Sequence, residues 1–216
     1  KSNLIKDVDF DPLAYLIPLA KEKGIRVHAW VNTYLLWSSR VMPVQENHIL
    51  KTNPDWMDQN TQKKINISIE MKKFNGGKNG IEGFYMAPNH PKVNSYLLTV
   101  FNDLIQNYDL DGLHLDYVRF HDSDYGQNPI ALYNFQKEID VSDLTSFNAS
   151  ESSQWNDYRR KAVTDLVRET KNLIQSVKPN ISLTAAVKPN LYQARERFFQ
   201  EWDVWLAAGY LDKAIV

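Results

Sequence analysis

The run Gly112-Leu113-His114-Leu115-Asp116 ends on a carboxylate. Holding a carboxylate at the end of an apolar segment is costly unless it is paired or has a chemical task. A carboxylate so placed can accept a proton, attack an electrophile or stabilise developing positive charge. The structural alternative is a pair with Arg119 or a backbone turn. Asp111 precedes Gly112 at the other end of the run and reads as a turn residue or a structural hydrogen-bond partner. His114 lies two positions before Asp116, and His28 lies in a similar apolar run at residues 25–31. Imidazoles there suit substrate contact or a hydrogen-bonded place in the core. Lys188 ends a third run, residues 181–187, where an ammonium can hold substrate hydroxyls, tune a carboxylate or sit solvated at a rim. The histidines show neither His-x-His nor helical His-Glu spacing, so no metal and no cofactor are expected.

These groups need scaffolding. The periodicity of residues 12–23 predicts a helix, with Asp11 as its cap, Pro12 in its first turn and Gly24 at its end. A strand at 25–31 follows, then a polar stretch to residue 91. Within that stretch 65–71 and 83–87 are expected to form short arms. Helix 91–108, strand 112–118, a polar loop 120–154, helix 155–177, strand 181–187, helix 194–208 and strand 211–216 complete the chain. Alternating helices and strands predict a parallel sheet with helices outside it. The long insertions fall after strands, where barrels and open sheets build their sites. Four strands match either an open sheet or part of a (β/α)8 TIM barrel, and 1–216 is expected to be a single domain.

Strand alternation then sorts the side chains. His28, Trp30 and Asn32 share one face opposite Val27, Ala29 and Val31. His114 and Asp116 oppose Leu113, Leu115 and Tyr117, and Ser182, Thr184, Ala186 and Lys188 oppose Leu183, Ala185 and Val187. The polar sets are expected to point inward.

Composition narrows the partners. The 216 residues carry a formal charge of -1, which offers no field for nucleic acid. Cysteine is absent, which excludes disulfides, thiolate metal sites and thiol nucleophiles. No run is apolar and long enough for a transmembrane segment. Aromatics reach 12%, with six tryptophans and eleven tyrosines. Most aromatics pack cores, but aromatic planes also stack on pyranose rings. Trp30, Tyr34, Trp37, Tyr85 and Tyr117 lie at or just after predicted strand ends and on that ground are expected to line a cleft as stacking surfaces, with Asn32, Arg119 and Lys188 holding hydroxyls.

The sequence resembles the bacterial glycosyl hydrolase-like 10 family of β/α-barrel glycosidases. The likeness lies in Asp11-Pro12-Leu13-Ala14 through Lys23-Gly24-Ile25-Arg26-Val27-His28-Ala29-Trp30-Val31-Asn32, in Asn53-Pro54-Asp55-Trp56, and most specifically in Tyr108-Asp109-Leu110-Asp111-Gly112-Leu113-His114-Leu115-Asp116-Tyr117-Val118-Arg119-Phe120. Residues 155–160 and 200–212 extend it in order. The resemblance implies a (β/α)8 TIM-barrel fold of which the chain covers the central strands, about the third to the sixth. It implies a glycoside hydrolase acting on a poly- or oligosaccharide, such as a bacterial cell-wall glycan, with Asp116 as the strand-four catalytic carboxylate. It also implies an exported protein, periplasmic or on the cell surface, with a lipoprotein anchor in the full-length polypeptide. A catalytically inactive carbohydrate-binding barrel is the alternative.

Glycoside hydrolysis needs a second carboxyl group, about 5 Å away for retention or roughly 6.5–9.5 Å away for inversion. Glu70, Glu82, Asp122, Asp124 and Asp203 are the candidates, and the sequence does not choose among them.

Overall fold

A computed structural model describes residues 10–61, 82–139 and 149–216. The arm expected at 65–71 and the candidate acid Glu70 lie outside the described residues. The first helix, α1 (Pro12–Glu22), starts where Asp11 accepts hydrogen bonds from the Leu13 and Ala14 amides, both at 3.0 Å. It stops at Gly24, whose φ of 67° is strained for a residue with a side chain. Strand β1 (His28–Asn32) follows. Then come β2 (Leu35–Trp37), a short helix α2 (Ile49–Thr52), a 3-10 turn (Pro54–Trp56) and β3 (Phe84–Tyr85). The second half runs α3 (Val93–Asn107), β4 (Gly112–Asp116), α4 (Pro129–Ile139), α5 (Ala149–Val177), β5 (Ser182–Ala186), α6 (Leu191–Arg197), α7 (Trp202–Ala207) and β6 (Lys213–Ile215).

Four strands form one parallel sheet in the order β1-β4-β5-β6. Its register sets Trp30 beside His114, Asn32 beside Asp116 and His114 beside Thr184. Leu113, Leu115, Leu183 and Ala185 are fully buried, as are Phe101 and Ile105 of α3 and Val163, Val167 and Ile174 of α5. The alternation thus sends the aliphatic face of each strand into the helix layer and leaves the polar face for the site.

Two aspartates hold the strand entrances. Asp111 accepts from the Val27 amide at 2.8 Å and Asp212 from the Leu183 amide at 2.6 Å, so each ties the start of its own strand to its neighbour's. Of the two roles expected of Asp111, the geometry gives it the structural hydrogen bond. Among the described residues no helix is long and apolar enough to cross a membrane.

Two expectations need correction. The loop 120–154 contains α4, whose Ala131, Leu132 and Phe135 pack on Trp155. The polar composition of its surroundings hid this short apolar face. The last helix is two helices, because Phe199 has φ 56° and breaks the run after Arg197. The arm expected at 83–87 is present as β3, paired antiparallel with β2.

Candidate active site

A cleft of about 180 Å³ opens at the C-terminal ends of β4 and β5, lined among others by Asp116, Tyr117, Arg119, Glu82, Lys188 and Gln200. Asp116 is the last residue of β4. Its Oδ1 accepts from the Tyr117 amide at 2.7 Å and its Oδ2 from the Trp30 indole N–H at 3.1 Å. Trp30 is 69% exposed and meets the His114 ring nearly edge-on, with centroids 5.0 Å apart. His114 Nδ1 lies 2.8 Å from the Thr184 hydroxyl. Burial lowers the His114 pKa, against the pull of Asp116. His28, expected at the site, is the first residue of β1 and lays its ring over Gly112, the first of β4. It thus sits at the strand entrances and not at the cleft. Asn32 is exposed at the end of β1, in register with Asp116.

Simple alternation would turn Tyr117 away from Asp116. Its φ of 51° ends the alternation instead, and the ring lines the cleft. A non-glycine residue in that conformation persists only where its surroundings over-determine it, and such residues cluster at sites.

Arg119 does not hold Asp116. Its buried guanidinium gives Nη2 to both oxygens of Glu82, at 3.0 and 2.8 Å, and Nη1 to the Phe120 and His121 carbonyls. The guanidinium carbon also lies 5.0–5.8 Å from the ring centroids of Phe198, Tyr117 and Tyr85. Glu82 accepts a further, short hydrogen bond from the Tyr85 hydroxyl. Burial pushes the Glu82 carboxyl up, but Tyr85 and Arg119 together outweigh it and hold Glu82 below the usual range. Tyr85 itself is driven up, first by burial and then by Glu82 against Arg119. Lys188 has its ammonium 4.7 Å from the Phe198 ring centroid. Burial, then Arg119, lowers its pKa.

Of the five candidate partner carboxyls, Glu82 shares the cleft with Asp116. Asp122 is bound by Arg197 at 2.8 and 2.5 Å, and Asp124 and Asp203 are exposed away from the cleft lining. Three expected stacking residues stand elsewhere. Tyr85 is 3% exposed, with its hydroxyl on Glu82 and its ring against Arg119. Tyr34 is completely buried with its hydroxyl donating to Asn94 at 2.8 Å, and Trp37 donates to the Val41 carbonyl and packs on His48. None of the three belongs to the cleft lining. Gln200 and Phe198 escaped the sequence reading, because residues 194–208 looked like one continuous helix. Among the described residues no group of three or more histidines and carboxylates is disposed to hold a metal ion.

The family model described as "Glycosyl hydrolase-like 10" matches residues 1–216. The glycosyl hydrolase YngK of Bacillus subtilis (strain 168) is 22% identical over 178 residues, which are 82% of this chain and 29% of that protein. The glycosyl hydrolase DigH of Escherichia coli (strain K12) is 23% identical over 175 residues, covering 80% of this chain and 34% of the relative. The chain thus spans about a third of the length of these relatives. Among solved structures, the PgaB (BpsB) glycoside hydrolase domain from Bordetella bronchiseptica superposes with a TM-score of 0.63 at 16% identity, over 92% of this chain and 52% of that one. Alpha-L-fucosidase isoenzyme 2 from Paenibacillus thiaminolyticus gives 0.57 at 15% identity, over 83% of this chain and 23% of that one. The fold is of the β/α-barrel type, and the described chain supplies four of the parallel strands.

Proposed function

The chain belongs to the glycosyl hydrolase-like 10 family, and from that premise we propose that its cleft hydrolyses O-glycosidic bonds in a polysaccharide, with Asp116 as the catalytic carboxylate. The observation that carries this reading is the Asp116 carboxylate facing a cleft at the C-terminal strand ends, between aromatic rings and an ammonium. Barrel enzymes build their chemistry at that end of the sheet.

Asp116 supplies the negative charge that stabilises the oxocarbenium-like transition state, or the oxygen that attacks the anomeric carbon. Trp30 and Tyr117 offer ring faces and edges to a sugar, while Asn32, His114 and Lys188 offer polar groups to its hydroxyls. Glu82 is held ionised by Arg119 and Tyr85, so in this state it orients the guanidinium and does not donate a proton. A bacterial cell-wall glycan is the substrate to test first, which would set the protein to work outside the cytoplasmic membrane.

One observation favours a second reading, a carbohydrate-binding barrel without chemistry. Among the described residues, the cleft shows no second carboxyl free to carry a proton. Reducing-end release from a glycan panel that includes peptide-stripped cell-wall strands separates the two, using the full-length polypeptide and its Asp116→Asn variant. Loss of at least about a thousandfold in the variant, with folding and glycan affinity kept, is the expected result. Equal activity in both removes Asp116, and binding without release in either supports the second reading.

A further inference from the structure

Gln200 is 1% exposed, lines the cleft and has no part in the chemistry above. It sits where two strands part. The ladder between β4 and β5 ends at Leu115 and Ala185, and the tails beyond it carry Asp116 and Lys188. The Gln200 amide bridges those tails. Nε2 donates to the Val118 carbonyl at 3.3 Å and to the Ala186 carbonyl at 3.2 Å, while Oε1 accepts from the Lys188 amide at 3.0 Å. Both hydrogens and the oxygen of one primary amide are therefore in use, a set that no other neutral side chain of this length offers.

The bridge is itself anchored. The Gln200 backbone N–H donates to the Ala194 carbonyl at 2.8 Å, and the Phe120 backbone N–H donates to the Phe198 carbonyl at 3.2 Å. Trp202 closes the other side, its indole donating to the Lys188 carbonyl at 3.1 Å. Phe199, just before Gln200, has φ 56° and a fully buried ring packed on Phe120 and on the Arg159 guanidinium, 3.9 Å from its centroid. Among the described residues the only non-glycine positions with positive φ are Phe199 and Tyr117. One directly follows Asp116 and the other directly precedes Gln200, so both strained positions flank the cleft.

We propose that Gln200 is the positioning residue of the site, its amide fixing the separation of the β4 and β5 tails and hence of Asp116 from Lys188. The inference rests on the glycosidase reading for the reaction it serves, while the geometry stands without it. A misplacement of about 1 Å at a reacting group costs on the order of a hundredfold in rate.

The test uses Gln200→Leu and Gln200→Glu in the full-length polypeptide, with melting curves, glycan affinity and reducing-end release from about pH 5 to about pH 8. Gln200→Leu removes all three bonds at similar size and is expected to lower kcat about a hundredfold, with a smaller change in affinity. Gln200→Glu is expected to match it at the alkaline end. As pH falls its carboxyl gains a proton and can again donate to one carbonyl, so its rate relative to wild type should climb. A merely structural glutamine would not give that climb in a protein that stays folded throughout.

A folded Gln200→Leu with wild-type kcat and affinity overturns the proposal. So does a Gln200→Glu to wild-type ratio that stays flat with pH, which decides the matter if the leucine variant does not fold. If wild type binds glycan without cleaving it, the glycosidase reading falls and affinity becomes the readout. Gln200→Leu should then bind about tenfold more weakly, and equal binding overturns the proposal. A wild type that neither binds nor cleaves overturns both.

Discussion

The Trp30 indole donates to Oδ2 of Asp116 at 3.1 Å across the paired strands β1 and β4. One ring thus stands exposed at the strand end and also orients the carboxylate, and the proposed reading adds a sugar surface. The two roles separate by substitution. Trp30→Phe keeps an aromatic face and loses the N–H, so kcat should fall about ten- to a hundredfold, with glycan affinity within about threefold of wild type. Trp30→Ala should lose affinity as well. Steady-state release with calorimetric binding reads both, and an unchanged kcat in Trp30→Phe would show that the hydrogen bond is idle.

Glu82 and Arg119 make the second unit. The Arg119 side chain is 6% exposed and that of Glu82 35%, so removing the anion strands a buried cation. Glu82→Gln keeps an acceptor and should cost about 1–2 kcal/mol at neutral pH after allowance for the solvent that reaches Glu82. Its pKa is depressed in the fold, so its stabilisation is present above the unfolded value and is lost as pH falls through the folded one. Wild-type melting should therefore drop on acidification more steeply than that of Glu82→Gln. Parallel curves would mean that the pair contributes nothing to acid stability.

Legibility followed locality. The four strands, the caps at Asp11 and Gly24 and the inward set of Trp30, Asn32, His114 and Asp116 follow from short-range periodicity, which one strand or helix satisfies alone. What escaped depends on contacts distant in sequence. Glu82 was one of five candidates until Arg119, 37 positions away, placed it, and Gln200 gains meaning only where β4 and β5 diverge. Tyr34 followed a strand and was expected in the cleft. The chain turns after Asn32, and the ring is buried against Asn94. Alternation has no means to foresee a residue of positive φ such as Tyr117 or Phe199.

Asp58 predicts a pH effect of the opposite sign. It is buried, its Oδ1 accepts from the Gln59 and Gly126 amides at 2.8 and 2.9 Å, and its Oδ2 has no hydrogen-bond partner. Burial, opposed by those amides and by Arg159, pushes its pKa up to about 7. A carboxyl raised by folding binds its proton more tightly in the native state. Its contribution is therefore greatest below the unfolded value, near 4, and declines as pH rises to about 7. The decline is on the order of a few kcal/mol and acts on the contact between loop 57–61 and loop 122–128. Asp58→Asn stays neutral, so it should melt close to wild type near pH 4 and above it near pH 8. A gap that does not widen with pH would assign the slope to another group.

Gly83 tests how rigidly the Glu82 loop is delivered to the cleft. Its φ is 150°, and a Cβ there would collide with the Trp37 carbonyl oxygen and the Ser38 hydroxyl. That hydroxyl donates to the Glu82 carbonyl at 2.9 Å, so the crowded point lies on the segment that carries the carboxylate to Arg119. A backbone oxygen in the paired strands β2 and β3 cannot swing aside as a side chain would. Gly83→Ala should cost about 2–3 kcal/mol and disturb the Glu82–Arg119 pair, lowering glycan release beyond what the lost stability explains. Gly24→Ala is the matched control. Its φ of 67° is also unfavourable, yet nothing lies within 4 Å of the added Cβ, so it should cost about 1 kcal/mol and leave release unchanged. Melting curves and release assays on the two variants decide it. If Gly83→Ala behaves like Gly24→Ala, the β2–β3 arm yields to the added methyl and does not fix Glu82.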